Sequence, residues 1–319
     1  MRGDVTIFRA RRVVTLDTGM PVADAVAVMD GRILHTGSFD AVRDDLTGWN
    51  VSVDDSFGDR VIVPGFVEAH CHALQEGSLA SFPWVGSYER RGADGSVRSG
   101  CPDTASAVAR VLEAHLESAH TGEPLVCVGW DPNMAGGDPI TREMLDTVSA
   151  ERPIFVLQSN GHVGHCNSAM MRLAGITRDT DAHGMTRDAG GEPTGELKEM
   201  SLSLVLGRHA RIIVDTATAA RNIGALARQV GCTTVTDLAF AATTRAVTEY
   251  ALAVNREDFP VRVAYAPMAQ TLEQRMDGSV PDHLVSLRKH DSLRFRMGPV
   301  KFIIDGSIQG RSARMDWPG

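Results

Sequence analysis

His70 and His72 stand two residues apart at the end of VIVPGFVEAHCH, residues 61–72. Val61, Ile62 and Val63 are β-branched, Pro64-Gly65 bends the chain, and Phe66-Val67 resume an extended apolar run. Side chains two apart on an extended chain project to one face, so both imidazoles can address one spot while Cys71 faces away from it. That is a geometry for holding a metal ion. A packed or hydrogen-bonded pair of strand histidines is the alternative, and the spacing alone does not choose between them.

A second position stands out in PVKFIIDGS, residues 299–307. Read as a strand, it puts Lys301, Ile303 and Asp305 on one face and Val300, Phe302 and Ile304 on the other. If that strand is buried on both sides, as parallel barrel strands are, an ammonium there must be neutralised, paired or modified. Reaction with CO2 would turn Lys301 into an anionic carbamate able to bridge two metal ions. A salt bridge to Asp305 or to a neighbouring carboxylate is the plainer reading.

The elements that must carry these residues follow from the pattern around them. Residues 1–60 are written in short extended runs, with Asp30-Gly31 between two of them as a hairpin signal, and read as a small N-terminal β-sandwich domain. Residues 61–319 form a second domain. Within it, about residues 75–210 read as an inserted α/β segment, with a helix from Asp103, a helix from Thr141, and strands at PLVCVGW (124–130) and PIFVLQS (153–159). His115 falls on or beside the apolar stripe of the first of these helices and reads as a packed or partly exposed histidine, not a ligand. Then a helix over 217–230 stops at Gly231 and leads into a strand from Cys232. A helix around 242–254 precedes a strand from Val261, and a helix from Pro281 precedes a strand from Met297. With the 61–72 strand this makes four βα units of a parallel sheet.

The 319 residues are 43% hydrophobic, enough for a sizeable core, and the net charge of −8 with a pI near 5.8 argues against a nucleic-acid partner. Cys71, Cys101, Cys127, Cys166 and Cys232 are odd in number and show no C-x-x-C spacing, which suggests neither a disulfide framework nor a thiolate zinc knuckle. Asp4 and four arginines occupy the start where a signal peptide would be apolar, and no run is long enough to span a bilayer. A cytoplasmic protein with no membrane partner is the expectation.

The chain resembles the amidohydrolase superfamily: a β-domain, then PGFVEAHCH (64–72) on a first barrel strand, then a lysine on the fourth. Four further stretches, SNGHVGHCNS (159–168), GMTRDAGGEPTGELKE (184–199), GCTTVTD (231–237) and VKFIIDGSIQGRSA (300–313), resemble in order the branch that contains N-substituted formamide deformylase, amidohydrolase family 3. Glu68 stands where that family usually has aspartate. The resemblance implies a partial TIM-like (β/α)8 barrel with its metal site at the C-terminal ends of the strands. It carries His70 and His72 over as ligands and Lys301 as a carboxylated bridging ligand. One or two divalent ions are implied, zinc the first choice, with a metal-activated water attacking the C–N bond of a small-molecule formamide, acyl amide or cyclic amide. His162 matches a position that faces the substrate. His165 has no such match and reads as structural.

The same resemblance also implies what these residues do not contain: two more histidines from strands five and six, and the strand-eight aspartate that takes the proton from the attacking water. The expectation is a chain inactive by itself, completed by a C-terminal half in cis or by a partner chain in trans, and assembled as a homo-oligomer. The alternatives are a non-catalytic metal-binding subunit, or a decarboxylase or deaminase using similar ligands. Asp237 or Asp305 would have to serve as base if the chain acted alone. Trp84, Tyr88, Trp130 and Phe240 could line an apolar pocket or sit in the core.

Overall fold

The computed structural model describes residues 4–118, 123–212, 214–275 and 279–304, and the chain divides into two units, Met1–Phe66 and Val67–Gly319. In the first, strands β1 (Asp4–Val14), β2 (Val22–Met29) and β3 (Arg32–Gly37), helix α1 (Phe39–Asp45) and strand β4 (Asn50–Ile62) build one sheet in the order β3-β2-β1-β4. β2 and β3 are antiparallel, and their turn puts Asp30 at φ +49° and Gly31 at φ +72°, the two left-handed residues a tight hairpin needs. Ser38 caps α1 by accepting the Ala41 N–H, and the helix lays Val42 and Leu46 over Val5, Ile7, Ala25 and Ala27. A sandwich would need a second sheet facing this one. Among the described residues the second layer is α1 instead.

Strand β5 (Phe66–Cys71), all but its first residue in the second unit, is followed there by α2 (Ala73–Leu79) and a short hairpin of β6 (Arg90–Arg91) and β7 (Val97–Arg98). The inserted segment then supplies α3 (Thr104–Glu117), β8 (Leu125–Trp130), α4 (Arg142–Val148), β9 (Ile154–Gln158), β10 (Val163–Cys166), α5 (Ser168–Leu173), β11 (Met185–Arg187) and β12 (Pro193–Lys198). Its strands form a mixed sheet in the order β11-β12-β10-β9-β8. Every residue of β8, β9 and β10 is buried, because apolar clusters lie on both faces: Val126, Phe155 and Leu197 on one, Leu125, Cys127 and Ile154 on the other. This double burial explains runs that are continuously apolar rather than alternating.

The remainder alternates helix and strand: α6 (Thr216–Gln229), β13 (Cys232–Phe240), α7 (Thr244–Val254), β14 (Arg262–Pro267), α8 (Ala269–Arg275), α9 (Val280–Leu287) and β15 (Phe295–Met297). Asp215 caps α6 by accepting the Thr218 N–H, and Gly231, at φ +75°, ends it. The sheet runs β15-β14-β13-β5, with β13, β14 and β15 mutually parallel. Phe240, Tyr250, Tyr265 and Phe295 stack against one another beneath it, at centroid distances of 4.8–5.5 Å. No helix among the described residues is long and apolar enough to cross a membrane.

The last strand departs from the expectation. Its ladder runs over Phe295–Met297 and stops, since Pro299 has no N–H to donate. Lys301 rejoins the sheet as a single bridge to Met268, donating its N–H to Pro267 and accepting from Ala269. Neither face of this stretch is sealed: Lys301 is half-buried, while Phe302 is 64% and Ile304 97% exposed. Asp305 and the residues after it lie outside the described residues.

Candidate metal centre

β5 ends at Cys71, and α2 begins at Ala73, so His70 and His72 straddle the point where strand becomes helix. Cys71 points into the sheet: its thiol donates to the Thr236 carbonyl at 3.4 Å. Burial first, then the charges of Asp237, Glu68 and Glu76, push that thiol up to about 12, so it stays protonated at neutral pH. The two imidazoles are on the other side, edge to face with centroids 6.0 Å apart. Glu68 folds back to accept the backbone N–H of His70 at 3.1 Å, and Asp237, buried on β13, accepts the N–H of Leu74 at 3.0 Å in the first turn of α2. This fastens the segment after His72 to the neighbouring strand. Asp237 makes this bond through one of its two carboxylate oxygens.

Of the two histidines His70 is exposed and His72 half-buried. Burial lowers the pKa of His72, and the nearby positive charges of His70, Lys301 and His162 lower it further. The neutral imidazole, with a lone pair to give, is therefore the favoured form. Its Nδ1 is buried and has no hydrogen-bond partner among the described residues. A buried polar atom without a partner is costly, and a metal ion is one way to satisfy it. The site thus gathers His70, His72, Lys301 and His162 from three places in the chain. Among the described residues no group of three or more His, Cys, Asp or Glu side chains could hold a metal. The Lys301 ammonium has no lone pair to give a metal as it stands.

His162 reaches this cluster from the turn after β9. Its ring Nδ1 lies 2.9 Å from Oε2 of Glu199, and the Glu199 N–H donates to the His162 carbonyl at 2.9 Å. Glu199 closes the stretch TGELKE, but nothing in its spacing announces that partner. The pair depends on Val163 of β10 facing Lys198 of β12.

The other expected positions lie elsewhere. His115 is buried on α3, with Nδ1 3.4 Å from an Arg152 nitrogen. Trp84, Trp130 and Phe240 are core residues, while Tyr88 is 55% exposed with its ring against Trp84. His165 is buried inside the inserted segment, its Nε2 2.9 Å from Gln158 Nε2 and its ring edge-on to Trp130. Burial drives its pKa down to about 4, against the opposing pull of Glu196. The unfolded chain takes up this proton near pH 6.5, whereas the folded chain refuses it until about pH 4. Stability is therefore full above about pH 6.5 and falls as the pH drops towards 4, by up to about 3 kcal/mol. Melting temperatures should decline over that window. In His165→Gln the decline should be shallower, and an identical slope in both proteins would refute the assignment.

A model of the amidohydrolase family matches residues 58–318. The N-substituted formamide deformylase of Arthrobacter pascens is 31% identical over 209 residues, covering 63% of this chain and 35% of that protein. The protein LONG AFTER FAR-RED 3 of Arabidopsis thaliana is 26% identical over 316 residues, covering 94% of this chain and 50% of that one. The chain thus spans half or less of the length of either relative. A crystal structure of an uncharacterized metal-dependent hydrolase from Pyrococcus furiosus superposes with a TM-score of 0.59 at 19% identity, over 96% of this chain and 58% of that one, and shares its fold. With more than half of its residues under the family model, the chain belongs to the amidohydrolase family, in the branch that includes N-substituted formamide deformylase.

Proposed function

We propose that this chain is the N-terminal part of a metal-dependent hydrolase that cleaves the C–N bond of a small amide, and that its second unit is the first half of a (β/α)8 barrel. The observation that carries the reading is the buried Nδ1 of His72, without a hydrogen-bond partner among the described residues, in an imidazole that also feels the charges of His70, Lys301 and His162. The likeness to N-substituted formamide deformylase supports an amide substrate.

In this reading His70 and His72 present neutral nitrogens, and the Lys301 ammonium gives up two protons as its nitrogen bonds the carbon of CO2, becoming an anionic carbamate with carboxylate-like donor oxygens. A divalent ion held there, zinc by choice of nitrogen and oxygen donors, supplies the Lewis acidity that activates water and polarises a carbonyl. Asp237 and Glu68 hold the backbone on either side of the histidine pair. His162 meets the substrate beside them. The remaining ligands and the proton acceptor come from residues beyond these, in the same polypeptide or a partner chain. A second reading is a metal-binding partner without turnover, which would need His70 and His72 but not a carboxylated Lys301.

Lys301 gives the test. Metal-loaded protein equilibrated with 13C-bicarbonate should show one carbamate carbon resonance that is missing from Lys301→Ala. Activity lost in Lys301→Ala should return in part with a short carboxylic acid. A metal-loaded protein without the resonance would show Lys301 to be an ordinary ammonium, and the amide-hydrolase reading would lose its third ligand.

A further inference from the structure

The turn after β9 is held more firmly than an exposed loop requires. Asn160 Oδ1 accepts the N–H of His162 at 2.8 Å, and Asn160 Nδ2 donates to Gln158 Oε1 at 3.1 Å. Gln158 is itself buried against His165. Gly161 sits at φ +71°, and a Cβ there would lie 3.7 Å from Gln75 Nε2, which puts the turn against α2 just after His72. On its other side stands Glu199, at φ +47°, a left-handed conformation that a non-glycine residue adopts at a cost. That conformation lets it grip His162 twice, by its N–H on the carbonyl and by its carboxylate on the ring.

A carboxylate only accepts, so in the neutral ring the proton between them belongs to Nδ1 of His162. Nε2 is left as a lone pair, with no partner among the described residues. An acceptor fixed beside His72 recognises a donor, and the donor a secondary amide offers is its N–H. We propose that Glu199 is a positioning residue that fixes His162 as a hydrogen-bond acceptor, so that the site selects amides bearing an N–H over tertiary amides. The selectivity rests on the amide-hydrolase reading; the positioning does not.

Two measurements separate these. In the 319-residue chain labelled with 15N-histidine, at a pH where the rings are neutral, His162 should carry its proton on Nδ1. Glu199→Gln, whose amide can donate to Nδ1, should move the proton to Nε2, and Glu199→Gly, at ease with a positive φ, should give a mixture. A proton on Nε2 in the parent chain, or no change in either variant, would overturn the positioning whether or not metal binds. In the complete zinc-loaded protein, the ratio of kcat/KM for an N-alkylformamide to that for its N,N-dialkyl counterpart should fall about tenfold in Glu199→Gly, the scale of one lost hydrogen bond. An equal fall for both substrates, or no hydrolysis of either, would overturn the selectivity.

Discussion

Replacing His70 and His72 together by alanine should abolish metal binding. In the complete protein, dialysed against zinc and measured by elemental analysis, the parent should hold one or two ions and the double variant none. The size of the effect follows from what the two residues provide. Removing even an outer partner of a ligand costs roughly 10- to 100-fold in affinity, and here two direct nitrogen donors go at once, so the loss should exceed about 100-fold. The fold does not lean on these side chains: His70 is exposed, and His72 is half-buried with an Nδ1 that bonds to nothing described. Removing an unsatisfied buried nitrogen should leave the melting temperature of the metal-free protein level or raise it. Equal metal content in the two proteins would dispose of the centre, and a lowered metal-free melting temperature would show the histidines to be a packing pair after all.

The histidine pair was legible because its geometry is local. Two residues on an extended chain share a face whatever the rest of the molecule does, and Cys71 bonding to Thr236 on the next strand shows the alternation at work. The βα order was legible for a similar reason, since Asp103 at the start of one helix and the stop at Gly231 at the end of another mark helix ends within one turn. Glu199 was not legible. Its partner is 37 residues away, and only the register of β10 on β12 brings them together. Lys301 was legible as a type but not in its setting: alternation along residues 299–307 cannot show that the ladder ends at Met297 or that the apolar neighbours stay exposed. Nor could extended runs in residues 1–60 say that α1, rather than a second sheet, would cover the first unit's core.

Residues 1–319 assayed by themselves should not turn over any amide. The argument begins with a count of donors. His70, His72 and a carboxylated Lys301 are three, and no further His, Cys, Asp or Glu joins them among the described residues. In the proposed reading two more histidines and the proton-accepting aspartate come from outside the described residues. Even with metal held, the want of a general base should slow proton removal by about 10²- to 10⁴-fold. Among the described residues β5 and β15 are the edges of their sheet, and Phe66, Val67, Phe302 and Ile304 are exposed. Unpaired edges and bare apolar side chains favour association, so the chain should elute as dimers or larger species. The measurement is size-exclusion chromatography with light scattering, followed by assays of the zinc-loaded fractions on formamides and acyl amides. Adding the rest of the polypeptide, joined or as a separate chain, should restore turnover and sharpen the elution profile together, because one surface serves both purposes. Brisk hydrolysis by a monodisperse monomer of these 319 residues would mean that the proton acceptor lies within them.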